Sequence, residues 1–324
     1  MEMPIGTAYS DVNSGNPLCC FKTDATETGK TEYVILVINA GNMAKSLGIA
    51  ESHIIDQDPG YEWTYLNGLD ESVPVYISMV QKQGYADEYL SRQLGTTRSN
   101  NREDYADLSD EEYANFRVIE TTGMGKGTLY RSSSPVNPYL NRNKKADDAL
   151  LTAQIRTVIN TSDNEATMKS FADYILTNYK DCDIIALDMS VDTQSRNFQD
   201  SLAEACRFII SHDGPYLIHC TEGKDRTGYV SAILECLMGA DADEIVTDYM
   251  LSYYNFYGLE PGTEKYEQIA ASNIDSILAS IIGISSIREE GTDLQACAET
   301  YLQKIGLSAE EISALKDRLG KSYQ

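Results

Sequence analysis

The amino-acid sequence predicts an α/β fold, with a central, mostly parallel sheet flanked by helices and preceded by a small β-rich N-terminal domain. Short apolar runs alternate with helical patterns between residues 129 and 220, whereas β-branched strand patterns occupy residues 30–82. A polar, charged stretch separates these two regions. We therefore predict a β-rich domain at 1–95, a polar linker at 96–115 and a larger α/β domain at 116–324.

In the N-terminal domain, residues 33–39 and 73–80 carry β-branched and other apolar side chains between turn-like stretches. Each run predicts a strand. No motif in this domain indicates its role or defines a protein partner for it.

The linker prediction rests on composition. Residues 96–115 include the runs Arg-Ser-Asn-Asn-Arg-Glu-Asp and Asp-Glu-Glu and show no apolar periodicity. Such a segment is typical of a connection between domains.

The remaining elements follow in chain order. Strands are predicted at 129–132, 155–160, 184–189 and 216–220, and helices from 145, at 164–179 and at 198–211. This alternation is what predicts parallel strands joined by helices. Beyond Thr227 the pattern is helix after helix, with breaks at Gly239, Gly262, Gly283 and Gly306.

Composition excludes several classes of protein. The chain has 50 acidic and 26 basic residues, and its formal net charge of -24 repels nucleic acids and anionic membranes. Its apolar stretches are far shorter than the ~20 residues of a membrane-spanning helix. We therefore expect neither a nucleic-acid partner nor an integral membrane segment.

The number and spacing of the cysteines indicate the cellular compartment in which the protein is located. The seven cysteines are scattered, and their spacing indicates neither a disulfide framework nor a zinc site. A cytoplasmic location is therefore favoured. Because an export signal can have been removed from the sequence, a secreted or surface-attached protein stays the alternative.

The segment from Cys220 to Arg226 is the strongest functional signal. It reads Cys-Thr-Glu-Gly-Lys-Asp-Arg and lies between the apolar run 216–220 and a helical pattern that starts at Thr227. In open α/β sheets, ligands bind beyond the carboxyl ends of the strands. A six-residue step from cysteine to arginine lets such a loop curl around one tetrahedral anion.

Each residue of this loop has a predicted role. Cys220 is the candidate nucleophile, and Arg226 closes the anion cradle with a bidentate contact. Thr227 could donate a hydroxyl hydrogen bond to the cysteine sulfur, and His219 supports the loop from behind. Backbone N–H groups of the loop are expected to bind phosphate; they belong to Thr221, Glu222, Gly223, Lys224, Asp225 and Arg226.

The stretch His219-Cys-Thr-Glu-Gly-Lys-Asp-Arg-Thr-Gly228 resembles the signature of the Cys-based protein tyrosine phosphatase superfamily. Its Gly-Lys-Asp-Arg-Thr ending is similar to the bacterial tyrosine/serine phosphatases with dual protein and phosphoinositide activity. The runs Leu129-Tyr-Arg-Ser132 and 155–160 are similar to the opening strands of that family's catalytic domain. The resemblance covers roughly residues 113–280 and implies a tyrosine-phosphatase-like fold.

A phosphatase of this kind needs a carboxylic acid to protonate the leaving oxygen. The only tryptophan, Trp63, lies outside the catalytic region, so the Trp-Pro-Asp loop of the phosphotyrosine-specific branch is absent. Asp225, inside the loop, is the favoured acid. Asp192 is the alternative, because it occupies the region from which dual-specificity phosphatases supply theirs.

The resemblance implies a hydrolase that acts on phosphomonoesters through a phosphocysteine intermediate, with phosphotyrosine in proteins as the leading substrate and no cofactor or metal. Lys224 at the loop mouth supports the alternative of an inositol phosphate or phosphoinositide. Thr221 and Glu222 weigh against highly phosphorylated lipids, since lipid-directed relatives often have a lysine directly after the cysteine. A non-enzymatic phosphate-binding module is the third hypothesis.

Overall fold

The structure is a computed structural model that describes residues 1–6, 11–12, 16–26, 29–39, 42–54, 61–69, 74–86, 94 and 98–323. The chain forms two compact units, Met1–Gln93 and Leu94–Gln324. Within the described ranges, no helix has both the length and the apolar character needed to cross a bilayer.

The first unit is β-rich, as predicted. Strands β1 (Ile5–Gly6), β2 (Pro17–Thr26) and β3 (Gly29–Ile38) form one sheet in that order, with β1 parallel and β3 antiparallel to β2. A short helix, α1 (Met43–Ser46), precedes β4 (Ala50–Ile54) and β5 (Tyr61–Tyr65), which pair antiparallel. Leu18 and Val12 are buried in a small core here.

The two strands predicted in this unit have different outcomes. The strand predicted at 33–39 is confirmed within β3. Residues 74–80 of the second run form no strand, and residue 73 lies outside the described residues. Tyr76 is 94% exposed and Met79 is 73% exposed, so these side chains lack the half-buried surface that favours a strand.

The segment predicted as a polar linker contains regular structure where it is described. Residues Arg102–Tyr105 form a 3-10 helix, and α2 (Asp110–Tyr113) begins with a capping box between Ser109 and Glu112. Tyr113 is fully buried. Residues 98–115 thus belong to the second compact unit, because their few apolar side chains find long-range partners that composition does not reveal.

A five-stranded sheet forms the centre of the second unit. Its strands are β6 (Arg117–Val118), β7 (Leu129–Ser132), β8 (Thr157–Asn160), β9 (Asp183–Ala186) and β10 (Tyr216–His219). Their spatial order is β6-β7-β10-β8-β9, and only β6 is antiparallel to its neighbour. The predicted α/β fold with a mostly parallel sheet is confirmed, with β10 at its centre.

Helices cover the sheet and continue to the end of the unit. They are α3 (Asn143–Thr152), α4 (Glu165–Ser170), α5 (Arg196–Ser211), α6 (Asp225–Met238), α7 (Ala242–Tyr257), α8 (Glu264–Ala270), α9 (Ser276–Ile282), α10 (Leu294–Lys304) and α11 (Ala309–Gly320). A π-helical turn, Ala271–Asp275, joins α8 to α9. The four predicted glycine breaks all fall between helices, each with a positive φ.

Two apolar clusters fill the space on the sheet. Tyr216 and Ile218 of β10 belong to the larger cluster, with α5 to α11, whereas Leu217 belongs to the smaller one with α3. Alternate residues of β10 therefore face opposite layers. The helix predicted at 164–179 ends at Ser170. Phe171 takes an extended conformation there, and Phe171 and Tyr174 pack against the smaller cluster.

Candidate active site

The predicted loop lies where the central strand becomes a helix. Strand β10 ends at His219, Cys220 follows directly, and α6 begins at Asp225. All four parallel strands end at this edge of the sheet, and β10 pairs there with β7 on one side and β8 on the other. The loop thus lies at the carboxyl end of the central strand of the sheet, a place where α/β proteins commonly bind ligands.

Cys220 is 3% exposed and faces into the loop. Its Sγ accepts a hydrogen bond from the backbone N–H of Gly223 at 3.2 Å. Two other cysteines provide a contrast, because burial raises the pKa of Cys182 to about 11 and that of Cys206 to about 12. Those thiols have the character of packing residues rather than nucleophiles.

Gly223 is required by the path of the loop. Its φ is +68°, a backbone region that favours glycine. A Cβ at this position would overlap the carbonyl of Ser132 and lie 2.7 Å from Ser133 N. The loop therefore passes against the end of β7 so closely that no side chain fits.

Two side chains that sequence reasoning missed bind the outer side of the loop. Asn115 Nδ2 donates to the carbonyls of Glu222 at 3.1 Å and Gly223 at 3.2 Å. Arg131 Nη2 donates to the carbonyls of Gly223 at 3.0 Å and Lys224 at 3.3 Å. We call these three carbonyls, with Asn115 and Arg131, the carbonyl face of the loop.

Arg226 extends toward the loops that follow β8 and β9. Its Nη1 donates to the carbonyls of Thr161, Ser162 and Met189 at 3.3 to 3.5 Å. All three bonds use the same nitrogen. Among the described residues, Nε and Nη2 are therefore left for another acceptor.

His219 is fully buried at the end of β10. Its Nε2 lies 2.9 Å from Tyr179 Oη, and its Nδ1 lies 3.4 Å from the carbonyl oxygen of Cys220. Burial lowers the pKa of His219 to about 4, although Asp163 opposes this. The imidazole is therefore neutral near pH 7 and supports the end of β10.

Thr227 does not make the predicted bond to Cys220. Its side chain is fully buried, and within the described part of the chain its Oγ1 has no hydrogen-bond partner. Thr227 is the third residue of α6, a position that places its side chain in the helix packing rather than in the loop.

Four charged side chains of the loop region are linked by ion pairs, and we call this cluster the charged mouth: Arg98, Glu222, Lys224 and Asp225. The Glu222 carboxylate contacts Arg98 Nη1 and lies 3.4 Å from Lys224 Nζ. Lys224 Nζ also lies 3.6 Å from Asp225 and 4.8 Å from the ring centre of Tyr253. Burial would lower the pKa of Lys224, but Asp225 and nearby tyrosines outweigh it and raise this pKa.

Asp225, the favoured acid, is half-exposed at the first turn of α6. Tyr249 Oη donates to its carboxylate at 3.4 Å. Tyr249 is itself buried, and its ring lies 5.9 Å from that of Tyr229 in a stacked arrangement. The half-exposed Asp225 carboxylate is thus in contact with a buried aromatic side chain.

The alternative acid, Asp192, lies in the loop after β9. Its Oδ1 accepts from the backbone N–H of Gln194 at 3.0 Å, so it closes a turn before α5. The same loop carries Asp188, which is exposed and has a φ of +43°. Asp188 directly precedes Met189, whose carbonyl contacts Arg226, so the structure adds a third carboxylate to the candidates.

Within the described ranges, no group of three or more His, Cys, Asp or Glu side chains is arranged to hold a metal ion.

The loop lies between a central strand and a helix, directs a backbone N–H group at a cysteine sulfur, and has an arginine six residues after that cysteine. These features define the class of Cys-based phosphate-binding α/β proteins. A profile described as "Tyrosine phosphatase family" matches residues 111–321 of this chain. The match spans more than half of the chain, and the chain belongs to this family.

The chain is similar to two further proteins. The chain is 31% identical over 159 residues to a protein named "Tyrosine-protein phosphatase" from Nostoc commune, in an alignment that covers 41% of this chain and 54% of that protein. The chain thus spans about half the length of this relative. The core catalytic domain of the PP-IP phosphatase SIW14 from S. cerevisiae, solved with citrate, aligns with a TM-score of 0.32 and 18% identity, covering 52% of this chain and 91% of that chain.

Proposed function

We propose that this protein is a cysteine-dependent phosphatase that hydrolyses phosphomonoesters through a phosphocysteine intermediate. The hydrogen bond from Gly223 N–H to Cys220 Sγ carries the proposal, because it fixes the sulfur inside an anion-binding loop. Family membership over residues 111–321 supports the same chemistry. We assign the reaction to the predicted domain at 116–324 and assign none of its steps to residues 1–95.

The first step forms a sulfur–phosphorus bond. The Cys220 thiolate attacks phosphorus, and the bond between phosphorus and the ester oxygen breaks. Asp225 gives its proton to the departing oxygen, so that a neutral alcohol or phenol leaves. Loop N–H groups and the Nε and Nη2 donors of Arg226 bind the phosphoryl oxygens as charge shifts onto them.

The second step restores the enzyme. A water molecule attacks phosphorus, the sulfur–phosphorus bond breaks, and inorganic phosphate leaves. Asp225 accepts the proton of the water, which returns this carboxyl to its starting form. Cys220 leaves as the thiolate and is ready for another turnover.

Phosphotyrosine in proteins is the substrate we favour. At the charged mouth, Glu222 and Asp225 lie within ion-pair distance of Lys224, and Arg98 contacts Glu222. These pairs leave little positive charge for a second phosphate group beside the one in the loop. The name of the Nostoc commune relative, "Tyrosine-protein phosphatase", supports the same substrate class.

The inositol phosphate alternative rests on Lys224. The raised pKa of Lys224 keeps its ammonium charged, and a multiply phosphorylated ring could compete for it with Glu222 and Asp225. A panel of phosphotyrosine peptides and inositol phosphates separates the two substrates. A higher kcat/KM with inositol phosphates would remove the protein-phosphatase proposal.

We also propose a cytoplasmic setting, since a cysteine nucleophile must stay reduced and the cytoplasm keeps thiols reduced.

The test is phosphate release from a small aryl phosphate, without added metal and with a chelator present. Wild-type protein should release phosphate, and Cys220→Ser should release none. Cys182→Ser is the matched control and should keep wild-type turnover, because the half-buried Cys182 thiol donates to the carbonyl of Ile155 at 3.5 Å, its only side-chain hydrogen bond among the described residues.

Two results would contradict the proposal. Activity that persists in Cys220→Ser would exclude the cysteine mechanism. A wild-type protein inactive on aryl phosphates, phosphopeptides and inositol phosphates would instead favour a phosphate-binding module.

A further inference from the structure

The carbonyl face and the sulfur lie on opposite sides of the same peptide groups. In a planar trans peptide, the carbonyl and the N–H point in opposite directions. The peptide between Glu222 and Gly223 directs its N–H at Cys220 Sγ and its carbonyl at Asn115 Nδ2. Holding that carbonyl outward therefore holds the N–H inward.

The next two peptides follow the same rule. The carbonyl of Gly223 accepts from Asn115 and Arg131, and that of Lys224 accepts from Arg131. Their N–H groups belong to Lys224 and Asp225 and point away from the carbonyl face. Three consecutive N–H groups are thus oriented by two side chains.

Arg131 is placed for this by the sheet. It lies on β7, opposite Ile218 of β10, and its side chain is fully buried. Gly228 in α6 leaves room for it, because a Cβ there would lie 3.1 Å from Arg131 Nη2 and 2.5 Å from the Tyr249 ring. A side chain at this position of α6 would therefore crowd both the guanidinium and the Tyr249 ring.

Asp248 on α7 fixes the guanidinium. Its Oδ2 contacts Arg131 Nη1, and its Oδ1 accepts from Arg117 Nε at 2.8 Å. Burial opposes ionisation of Asp248, but Arg117 and Arg131 outweigh it and lower the pKa of this carboxyl. Burial raises the pKa of the neighbouring Glu235 well above its ordinary value.

Asn115 belongs to the same network. Its Oδ1 accepts from Arg117 Nη1 at 2.7 Å and from Asn255 Nδ2 at 3.1 Å, which directs its Nδ2 at the loop. Its φ of +53° turns the chain after α2. The end of the segment predicted as a linker therefore supplies one of the two donors to the carbonyl face.

We propose that Arg131 and Asn115 are positioning residues, which aim the N–H groups of Gly223, Lys224 and Asp225 at the bound phosphoryl group, with Asp248 holding Arg131 in place. This proposal rests on the proposed phosphatase function for its kinetic consequence. A donor turned away from the oxyanion costs most in the transition state, so kcat should fall more than KM changes.

The kinetic test compares Arg131→Lys with Arg142→Lys. Arg142 is also fully buried, but it packs among the rings of Tyr105, Tyr113 and Phe256 and makes no contact with the carbonyl face. Both variants should lose thermal stability. Only Arg131→Lys should lose about 100-fold in kcat and a similar factor in affinity for vanadate, which mimics the transition state.

If Arg131→Lys does not fold, Asn115→Gly is the second variant to measure. Glycine can keep the positive φ of this position, and it removes the side-chain donor. It should lower kcat and vanadate affinity in the same proportion. Wild-type kcat and vanadate affinity in the folded variants, with only stability reduced, would overturn the proposal.

Binding of inorganic phosphate separates this proposal from the phosphatase function. Measured in a Cys220→Ser background, phosphate binding requires no turnover. It should weaken about tenfold when Arg131→Lys or Asn115→Gly is added and stay unchanged with Arg142→Lys. Unchanged phosphate binding in all three variants would contradict the positioning role, even if the wild-type enzyme is active. Weakened phosphate binding in Arg131→Lys and Asn115→Gly, together with an inactive wild type, would contradict only the proposed phosphatase function.

Discussion

The carbonyl face and the charged mouth surround the same seven residues but are built differently. The carbonyl face is made of buried side chains that bond to fixed backbone carbonyls, and Arg131 and Asn115 are fully buried. In the mouth, long side chains form ion pairs, and Asp225 is 44% exposed. The carbonyl face can therefore set geometry, whereas the mouth can adapt to substrate and move protons.

The largest effect expected at the mouth concerns proton transfer. Asp225→Asn should lower kcat about 1,000-fold with alkyl phosphates and less with esters of acidic phenols, because only poor leaving groups need the proton. Measuring kcat across a series of leaving groups tests this.

Asp192→Asn serves as the matched control and should stay close to wild type, since its carboxylate closes a turn. The reverse ranking would assign the acid to Asp192. If Asp188→Asn loses most of its kcat while Asp225→Asn keeps the wild-type kcat, the general acid is Asp188.

A change at the carbonyl face should come next in size. Gly223→Ala places a Cβ against the Ser132 carbonyl and should cost about 100-fold in kcat, because the loop must shift. Gly262→Ala is the matched control. Gly262 has a similar φ of +77° and open space around it, so it should lose about 1 kcal/mol of stability and no activity. Equal activity in both variants would show that loop position matters little.

The next effect in size is a loss of folding stability in acid, and it arises from His219, which belongs to neither the carbonyl face nor the charged mouth. The folded pKa of His219, about 4, lies below the ordinary value near 6.5 of an unfolded chain. As pH falls from about 6.5 toward 4, the unfolded state binds a proton that the folded state does not, so stability is lost in this window. From pH 7.5 to 5 the loss from this residue is roughly 2 kcal/mol.

Urea unfolding at these two pH values measures it. His219→Gln can still bond to Tyr179 but cannot titrate, so it should lose correspondingly less stability on acidification. An identical pH dependence in variant and wild type would contradict the buried neutral imidazole.

The smallest effect is expected from Glu222→Gln. Removing this carboxylate frees positive charge on Arg98 and Lys224, so kcat/KM for doubly phosphorylated substrates should rise several-fold relative to a phosphotyrosine peptide. Because the pairs are partly exposed, the gain should shrink at high salt. No change in the ratio would mean that the mouth does not set substrate preference.

The sequence was sufficient for the features that are local in the chain. The strand, Cys220, the bend at Gly223 and the helix that follows lie within a few residues, and their pattern predicts one loop. Helix breaks at Gly239 and Gly283 were predicted for the same reason, since each glycine takes a positive φ at a helix end.

Features that depend on distant residues could not be predicted. Arg131 lies 92 residues from Gly223, Asn115 lies 107 from Glu222, and Arg98 lies 124 from Glu222. A polar side chain has the same appearance in a sequence whether it is solvated or buried against a carbonyl. For that reason the described part of the predicted linker, which supplies Arg98 and Asn115, gave no signal of its contacts.

The central claim is that Cys220 carries the phosphoryl group. The most direct measurement is mass spectrometry of protein quenched in acid during turnover of an aryl phosphate, with Asp225→Asn used to slow hydrolysis of the intermediate. We predict one added phosphoryl group on the peptide that contains Cys220 and none in Cys220→Ser. Turnover without any phosphorylated peptide, or with the phosphoryl group on another residue, would contradict the account.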